Sequence, residues 1–210
     1  HSFSNNIGNV GNVDVDATGD IALLNGGTIS SAALSSGNSG ALKVSGGSIT
    51  INGQGNNLTG IISDSKSTTG NVGTFDVAAK GDLSITNGGM IISGKGSNSS
   101  VGLIKVSADN ITIDGKETES TGIFTNAQDS ATRVGSIDVS AKNNLSISNG
   151  GIQASTFSSA DGGTVTVSAG SIDIGRKGII VSQASSTGNA GDIDVSSTGH
   201  IAITNGGGVS

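Results

Sequence analysis

Proline, cysteine, tryptophan and tyrosine are all missing from this chain of 210 residues. At average usage of about 5%, a chain of this length would carry roughly ten prolines. Because proline cannot donate to a hydrogen-bond ladder, its absence indicates that nearly every backbone N–H is used in one. Aromatic residues make up only 2% of the chain, which indicates a core too narrow for large rings. A chain without cysteine suits the cytosol, and it also suits a polypeptide that crosses an oxidising periplasm unfolded.

Charge and hydropathy argue against two classes of protein. The net charge is −6, and no cluster of Lys and Arg could displace counterions from phosphate, so we expect no binding to nucleic acid. No apolar run reaches about 18 residues, so we expect no membrane-spanning helix. No signal peptide opens the chain. Both ends fall within repeats, which predicts a fragment of a longer protein.

What the chain does contain is 36 glycines and an internal repeat of two alternating flavours. The first flavour comprises GNVDVDATGDIALLNGG (11–27), GTFDVAAKGDLSITNGG (73–89), GSIDVSAKNNLSISNGG (135–151) and GDIDVSSTGHIAITNGG (191–207). The second comprises GALKVSGGSITING (40–53), GLIKVSADNITIDG (102–115) and GTVTVSAGSIDIG (163–175). A repeat of about 28–33 residues is typical of a stacked array rather than of a globule with one core.

Within each unit the apolar residues alternate, as Val13 and Val15 do around Asp14. A period of two predicts strands with one buried face. Three short strands per unit predict an all-β fold, a right-handed, three-sided parallel β-helix of about seven coils, with Val15, Val44, Val77, Val106, Val139, Val167 and Val195 stacked inside. The whole chain, 1–210, is then a single segment with coils near 11–39, 40–72, 73–101, 102–134, 135–162, 163–190 and 191–210.

The corners between strands are marked by Gly and Asn, which accept left-handed backbone angles. G-N-x-G recurs just before the first strand of a unit, and a Gly-Gly pair follows each of Asn25, Asn87, Asn149 and Asn205. Ile152 falls one place early relative to Ile29 and Ile91, which predicts a shifted or bulged third strand. Insertions are expected at 63–72, 115–121 and 125–134.

An outward charge ladder is expected on the first strand of each coil. The residue between the two apolar positions is, in successive coils, Asp14, Lys43, Asp76, Lys105, Asp138, Thr166 and Asp194. If the coils stack in order, opposite charges alternate at one-rung spacing. An exposed pair is worth well under ~1 kcal/mol, so we expect the ladder to fix register and discourage slippage.

The segments 149–174 (NGGIQASTFSSADGGTVTVSAGSIDI) and 188–207 (GNAGDIDVSSTGHIAITNGG) resemble repeats of filamentous-haemagglutinin-like exoproteins, the secreted partners of two-partner secretion systems. The likeness covers residues 8–210. It implies a right-handed parallel β-helix, export through an outer-membrane partner pore, and a secreted, cell-surface role in adhesion or filament formation.

The sequence offers little chemistry, and we expect no catalytic residue, no cofactor and no metal site. Asp14, Asp16 and Asp20 could hold a hard cation weakly, although a solvated strand face is favoured. Asp114, Glu117 and Glu119 fit a flexible polar loop, and His200 fits a variable surface position. A polysaccharide-cleaving β-helix would need carboxylates, basic residues and aromatics gathered on one face. An ice-binding solenoid would need a flat array of outward Thr, and the column Thr50, Thr112, Asp173 is short and interrupted.

The expected function is therefore mechanical. The segment extends from the cell as a rod or filament, as the structural or adhesive shaft of an exoprotein, with polar Ser/Thr/Asn faces for solvation or weak glycan contacts. The alternative is a polysaccharide-binding or -cleaving β-helix. As partners we expect the secretion pore implied by the resemblance, end-to-end copies of the chain, or a glycan or cell-surface receptor bound at a face or at the 63–72 and 125–134 corners.

Overall fold

The structure is a computed structural model that describes residues 1–4, 8–33, 37–56, 58–65, 70–97, 102–116, 120–127 and 134–210. Within these ranges the chain is all-β, without a helix, and so none of the described residues forms a helix that could cross a membrane. The predicted insertions lie partly outside the described residues, because 66–69, 117–119 and 128–133 are not among them. Glu117 and Glu119 fall there as well.

The described strands pair with one another in parallel. In chain order they are β1 (Ser2–Ser4), β2 (Val13–Asp16), β3 (Ile21–Leu24), β4 (Thr28–Ala33), β5 (Leu42–Gly46), β6 (Ile49–Asn52), β7 (Thr59–Ser65), β8 (Phe75–Ala79), β9 (Asp82–Thr86), β10 (Gly89–Ser97), β11 (Ile104–Asp114), β12 (Gly122–Ala127), β13 (Ile137–Ser148), β14 (Gly151–Thr156), β15 (Val165–Gly175), β16 (Ile179–Ala184), β17 (Ile193–Ser197), β18 (Ile201–Ile203) and β19 (Gly208–Val209).

Each coil crosses three faces of a solenoid. The first and second faces share an 11-stranded sheet, because β11, β13 and β15 each run round the corner between them without a break. The third face is a separate 8-stranded sheet in the order β1-β4-β7-β10-β12-β14-β16-β19. The all-β fold of stacked parallel coils is therefore confirmed.

The coil count differs slightly from the prediction. On the first face, the described strands stack in the order β2, β5, β8, β11, β13, β15, β17. The chain winds about six turns from the first of these strands to the last, instead of seven coils, because turns are counted between stacked strands. At ~4.8 Å per rung, six turns give a stack of roughly 29 Å.

Aliphatic columns fill the interior, as predicted. The valine column runs in unbroken register through Val15, Val44, Val77, Val106, Val139, Val167 and Val195. Its inner members are fully buried, while Val15 and Val195 in the end coils are only partly buried. Full burial of one such side chain stabilises the fold by roughly 1.5–3 kcal/mol. Each coil thus depends on its neighbours to cover it.

Glycine is required at the G-N-x-G corner because backbone packs directly on backbone there. An added Cβ would lie 2.2 Å from the Gly11 carbonyl oxygen at Gly40, and 2.4 Å from the Gly40 oxygen at Gly73. Both distances are far below any normal contact, so no other residue fits without moving the next coil. A second glycine column packs in the same way through Gly8, Gly37 and Gly70.

The asparagines of this motif link the coils through their side chains. The Asn38 N–H donates to Asn9 Oδ1 at 2.9 Å, and the Asn71 N–H donates to Asn38 Oδ1 at 2.7 Å. The motif therefore combines a steric requirement for glycine with a ladder of amide hydrogen bonds along the axis.

Hydroxyl groups fill one column inside the third face, which was not predicted. The column runs in register through Ser31, Ser63, Ser93, Thr125, Ala154 and Ser182. Three of its hydroxyls bond the corner that opens the next coil, whereas Ser93 Oγ is buried without a hydrogen-bond partner among the described residues. Gly40 N–H donates to Ser31 Oγ at 3.0 Å, Thr125 Oγ1 donates to the Gly135 carbonyl at 2.9 Å, and Gly191 N–H donates to Ser182 Oγ at 2.9 Å. Buried backbone groups that no strand satisfies are paired in this way.

The prediction of a shifted strand at Ile152 is wrong. Ile152 aligns with Ile123 and with Ile180, and β14 pairs with both neighbours without a register shift. The segment from Asn149 to Ile152 is one residue shorter than the matching segment from Asn25 to Ile29, and this shortening is taken up in the corner before the strand. There Asn149 has a positive φ of 47°, whereas Gly150 does not.

Truncation of a core residue should be costly only in the inner coils. Ile111→Ala removes a fully buried side chain that lies in register with Leu83 and Leu145, and we expect a loss of about 2–5 kcal/mol of unfolding free energy. The matched control is Ile203→Ala in the end coil, where the side chain is 48% exposed. Urea denaturation followed by circular dichroism measures both losses, and equal losses would contradict the stacked core.

The corner glycine provides a second test with its own control. Gly73→Ala forces a Cβ against the Gly40 carbonyl and should cost about 1–3 kcal/mol, as overpacking does. Gly11→Ala occupies the same place in the motif, but nothing lies within 4 Å of its added Cβ. A fall in the urea midpoint is expected for Gly73→Ala alone, because Gly→Ala without a clash limits the unfolded chain and should not destabilise; a similar fall for both would contradict the packing of this glycine against the neighbouring coil.

Candidate functional site

The charged column lies on the outer side of the first face. Asp76 is in register with Lys43 on one side and with Lys105 on the other. The column continues to Asp14 at one end, and through Asp138 and Thr166 to Asp194 at the other. We call the series Asp14, Lys43, Asp76, Lys105, Asp138, Thr166 and Asp194 the charge ladder.

Members of the charge ladder attract one another without forming close ion pairs. Among the described residues the structure gives one Lys–carboxylate ion pair, Lys142–Asp109 at 3.6 Å, and one His–carboxylate contact, His200–Asp173 at 3.1 Å, and neither belongs to the ladder. Charges on exposed neighbouring strands contribute modestly and are screened by salt. The ladder is therefore suited to favouring one strand register over its alternatives.

A second polar column follows the corner between the first and second faces. Asp20 Oδ1 accepts from the Ser48 N–H at 2.8 Å, and Asn110 Nδ2 donates to Asp82 Oδ1 at 2.7 Å. Further along, the Ser171 hydroxyl and the Asn144 amide are 3.0 Å apart. Each of these bonds joins one coil to the next, so the polar side chains of this corner act along the axis.

The acidic residues near the start of the chain are used in the same way. Asp14 lies in register with Lys43, Asp16 accepts a hydrogen bond from the Ser45 hydroxyl, and Asp20 bonds the Ser48 backbone. In the described part of the chain, no three His, Cys, Asp or Glu side chains are placed to hold a metal ion together.

All four predicted corner asparagines adopt left-handed backbone angles. The φ values are 42° at Asn25, 49° at Asn87, 47° at Asn149 and 51° at Asn205. At Asn25 and Asn205 the following glycine also has positive φ, and the turn closes with a hydrogen bond, from Gly27 N–H to the Leu24 carbonyl and from Gly207 N–H to the Thr204 carbonyl. Positive φ at both central residues is the pattern of a type I′ turn, for which Asn-Gly is the preferred pair.

Threonine from the next coil supports two of these corners. The Gly26 N–H donates to Thr59 Oγ1 at 2.6 Å, and the Gly88 N–H donates to Thr121 Oγ1 at 2.8 Å. Both threonines are fully buried. A first-flavour coil thus relies on a hydroxyl from the second-flavour coil that follows it.

In the second-flavour coils, other residues occupy the left-handed positions. They are Gln54, Lys116, Arg176 and Lys177, with φ of 51°, 52°, 47° and 63°. Arg176 and Lys177 are adjacent and form the centre of a turn closed by Gly178 N–H and the Gly175 carbonyl at 2.8 Å. A residue with a Cβ costs about 1–2 kcal/mol in the left-handed backbone region. Arg and Lys have no preference for that region, so the sequence pattern does not predict a left-handed turn here.

A shallow notch of about 280 Å³ lies beside this turn. Gly175, which has no side chain, lies in the notch in register with Ser148. The notch is lined by Ser146, Ile147, Ser148, Asp173, Ile174, Gly175, Arg176, Thr204 and Asn205. We call it the Gly175 notch.

Asp173 is the one carboxylate that lines the notch. Its Oδ1 lies 3.1 Å from His200 Nε2. With the amide nitrogen of Asn144 turned towards it, Oδ2 accepts a hydrogen bond at 3.3 Å. His200 is therefore a surface residue that holds a carboxylate in place.

The second face carries a longer hydroxyl row than the sequence suggested. Thr50, Ser84, Thr112 and Ser146 follow one another in register before Asp173 interrupts the row. Ser84 and Ser146 come from first-flavour coils, so the row becomes visible only when both flavours are aligned. Asn52, Thr86, Asp114 and Ser148 form a parallel row on the same face.

No family model, curated protein or solved structure matches the chain. The likeness to filamentous-haemagglutinin-like exoproteins accordingly remains an expectation from the sequence, and function has to be argued from the geometry described above.

The charge ladder has one uncharged position, which allows a gain-of-stability test. Thr166→Lys places a cation in register with Asp138 and Asp194, and we expect it to add about 0.2–1 kcal/mol at low salt and less at high salt. The control is Ser168→Lys on the same strand, whose partners in register are Ser140 and Ser196. The urea midpoints of both variants are measured at low and at high salt. If both lysines change the midpoint equally, the charge ladder does not contribute to stability.

Proposed function

We propose that this chain is a structural or adhesive shaft of a secreted cell-surface exoprotein, which extends from the cell as a rod or filament. The observation that carries the proposal is the unbroken order of stacked parallel strands from β2 to β17 on the first face and from β4 to β16 on the third. Such an array grows along one axis, and each added coil lengthens it by one rung.

The distribution of polar contacts supports a mechanical role. The asparagine corner, the hydroxyl column, the Asp–Ser corner bonds and the buried threonines all join one coil to the next. Side chains that converge on a deep site would instead be expected in an enzyme. Here the same residue types are spread along the axis at the period of the coils.

The sequence resemblance supports the location and the secretion partner within the same proposal. Export through an outer-membrane pore would suit a chain without cysteine, because no disulfide can form while it crosses an oxidising compartment. End-to-end self-association and a receptor on another cell complete the proposal. The second candidate, a polysaccharide-binding or -cleaving β-helix, is favoured by the Gly175 notch alone.

Immunogold labelling of intact producing cells tests the shaft directly. An antibody raised against the 210-residue chain should label the outside of the cell, at a distance from the outer membrane or along fibres. Permeabilised cells serve as the control for internal antigen. Label that appears only after permeabilisation would overturn the proposal.

A further inference from the structure

We propose that the Gly175 notch binds one uronate unit of an acidic saccharide, with the Arg176–Lys177 turn as its cationic rim. The inference goes beyond the shaft function, since a rod that binds no sugar would still be a rod. It rests on the conformation of the turn, the charge that the turn presents, and the groups that line the notch.

The turn is built against its local preference. Asn-Gly occupies the equivalent hydrogen-bonded turn at Asn25 and again at Asn205, and Gln54 is followed there by a glycine. At Arg176 and Lys177 two long cationic side chains adopt the same left-handed angles without a glycine. Strained backbone of this kind concentrates at ligand-binding sites, where it fixes groups in advance.

The two cations are exposed and available to a ligand. Neither forms an ion pair with any residue that the structure describes. The lysines of the charge ladder lie in register with aspartates on both sides, and Lys116 donates its backbone N–H to the nearby carboxylate of Asp114. In a chain of net charge −6, the Arg176–Lys177 turn is thus a local positive site that no neighbouring carboxylate balances in register.

The notch adds the groups that recognise a sugar ring. Hydroxyls of Ser146, Ser148 and Thr204 and the amide of Asn205 line it beside Asp173. Its volume of about 280 Å³ is near the lower end of small-ligand sites, ~300 Å³, so it suits a single ring. The lining contains no aromatic residue on which a neutral sugar could stack, so a charged contact has to supply much of the affinity.

A carboxylate on the sugar supplies that contact. A guanidinium donates two parallel hydrogen bonds to a carboxylate, and this pairing is stronger and more directional than neutral ones. With the carboxylate on Arg176, which lines the notch, the ring hydroxyls face the Ser, Thr and Asn groups, and Lys177 adds positive charge from the same turn. Asp173 already accepts from His200, which reduces its repulsion of an anionic ligand.

Isothermal titration calorimetry of the intact chain with trigalacturonate, at low salt, tests the site. The neutral control ligand is galactotriose. The key variant is R176N/K177G, which restores the preferred Asn-Gly turn. We expect its melting temperature to be equal or higher and its affinity for trigalacturonate to fall by about ten-fold or more.

Two further variants separate the notch from general charge. K80A/K142A removes the same charge from two exposed lysines elsewhere and should bind like the original chain. G175T keeps the charge but fills the notch: its Cβ meets Thr204 alone, at 3.2 Å from the hydroxyl and 3.7 Å from the carbonyl oxygen, so the side chain fits, and the variant should bind weakly.

Four results would overturn the inference. They are absence of trigalacturonate binding, equal binding of galactotriose, an equal loss in K80A/K142A, and full affinity in G175T. None of these bears on the immunogold result, so the failure of this site and the failure of the shaft function can be distinguished.

Discussion

Parallel backbone pairing between consecutive coils is the interaction on which the rest of this structure depends. Neighbouring backbones lie about 4.8 Å apart, and this spacing accounts for what the composition lacks. Proline is absent because it has no backbone N–H to donate to the next coil. Large rings are rare because the interior is narrow, and Phe75 is the one aromatic residue in the described core. At the corners, the same spacing leaves no room for a Cβ at Gly40 or Gly73.

The two flavours of coil are complementary rather than interchangeable. A first-flavour coil presents Asp to the charge ladder and an Asn-Gly corner whose N–H needs a partner. The following second-flavour coil supplies Lys43 or Lys105 to the ladder, and Thr59 or Thr121 to the corner. In the first two pairs, the two coils are therefore joined by opposite charges in register on one side and by a buried hydrogen bond on another.

Much of this fold could be predicted from sequence because its signals are local and periodic. The alternation around Asp14 identifies the strands and the Val15 column, and the preference of Asn for left-handed angles identifies the corners at Asn25, Asn87, Asn149 and Asn205. The buried hydroxyls could not be predicted, since Ser31 and Ser63 look like surface residues until the third face closes on the next corner. The turn at Arg176 and Lys177 could not be predicted either, because Arg and Lys do not favour the left-handed angles that they adopt there. The hydroxyl row from Thr50 to Ser146 requires alignment between flavours, and neither flavour shows it alone.

The outermost strands of the first face, β2 and β17, both carry aspartate in the charge ladder, at Asp14 and Asp194. Copies of this segment concatenated by simple translation would therefore place two carboxylates side by side at every junction and break the alternation of signs. An engineered tandem that preserves the pattern has to be cut so that its period holds an even number of coils. The sequence thus sets a parity rule for building longer fibres from this unit.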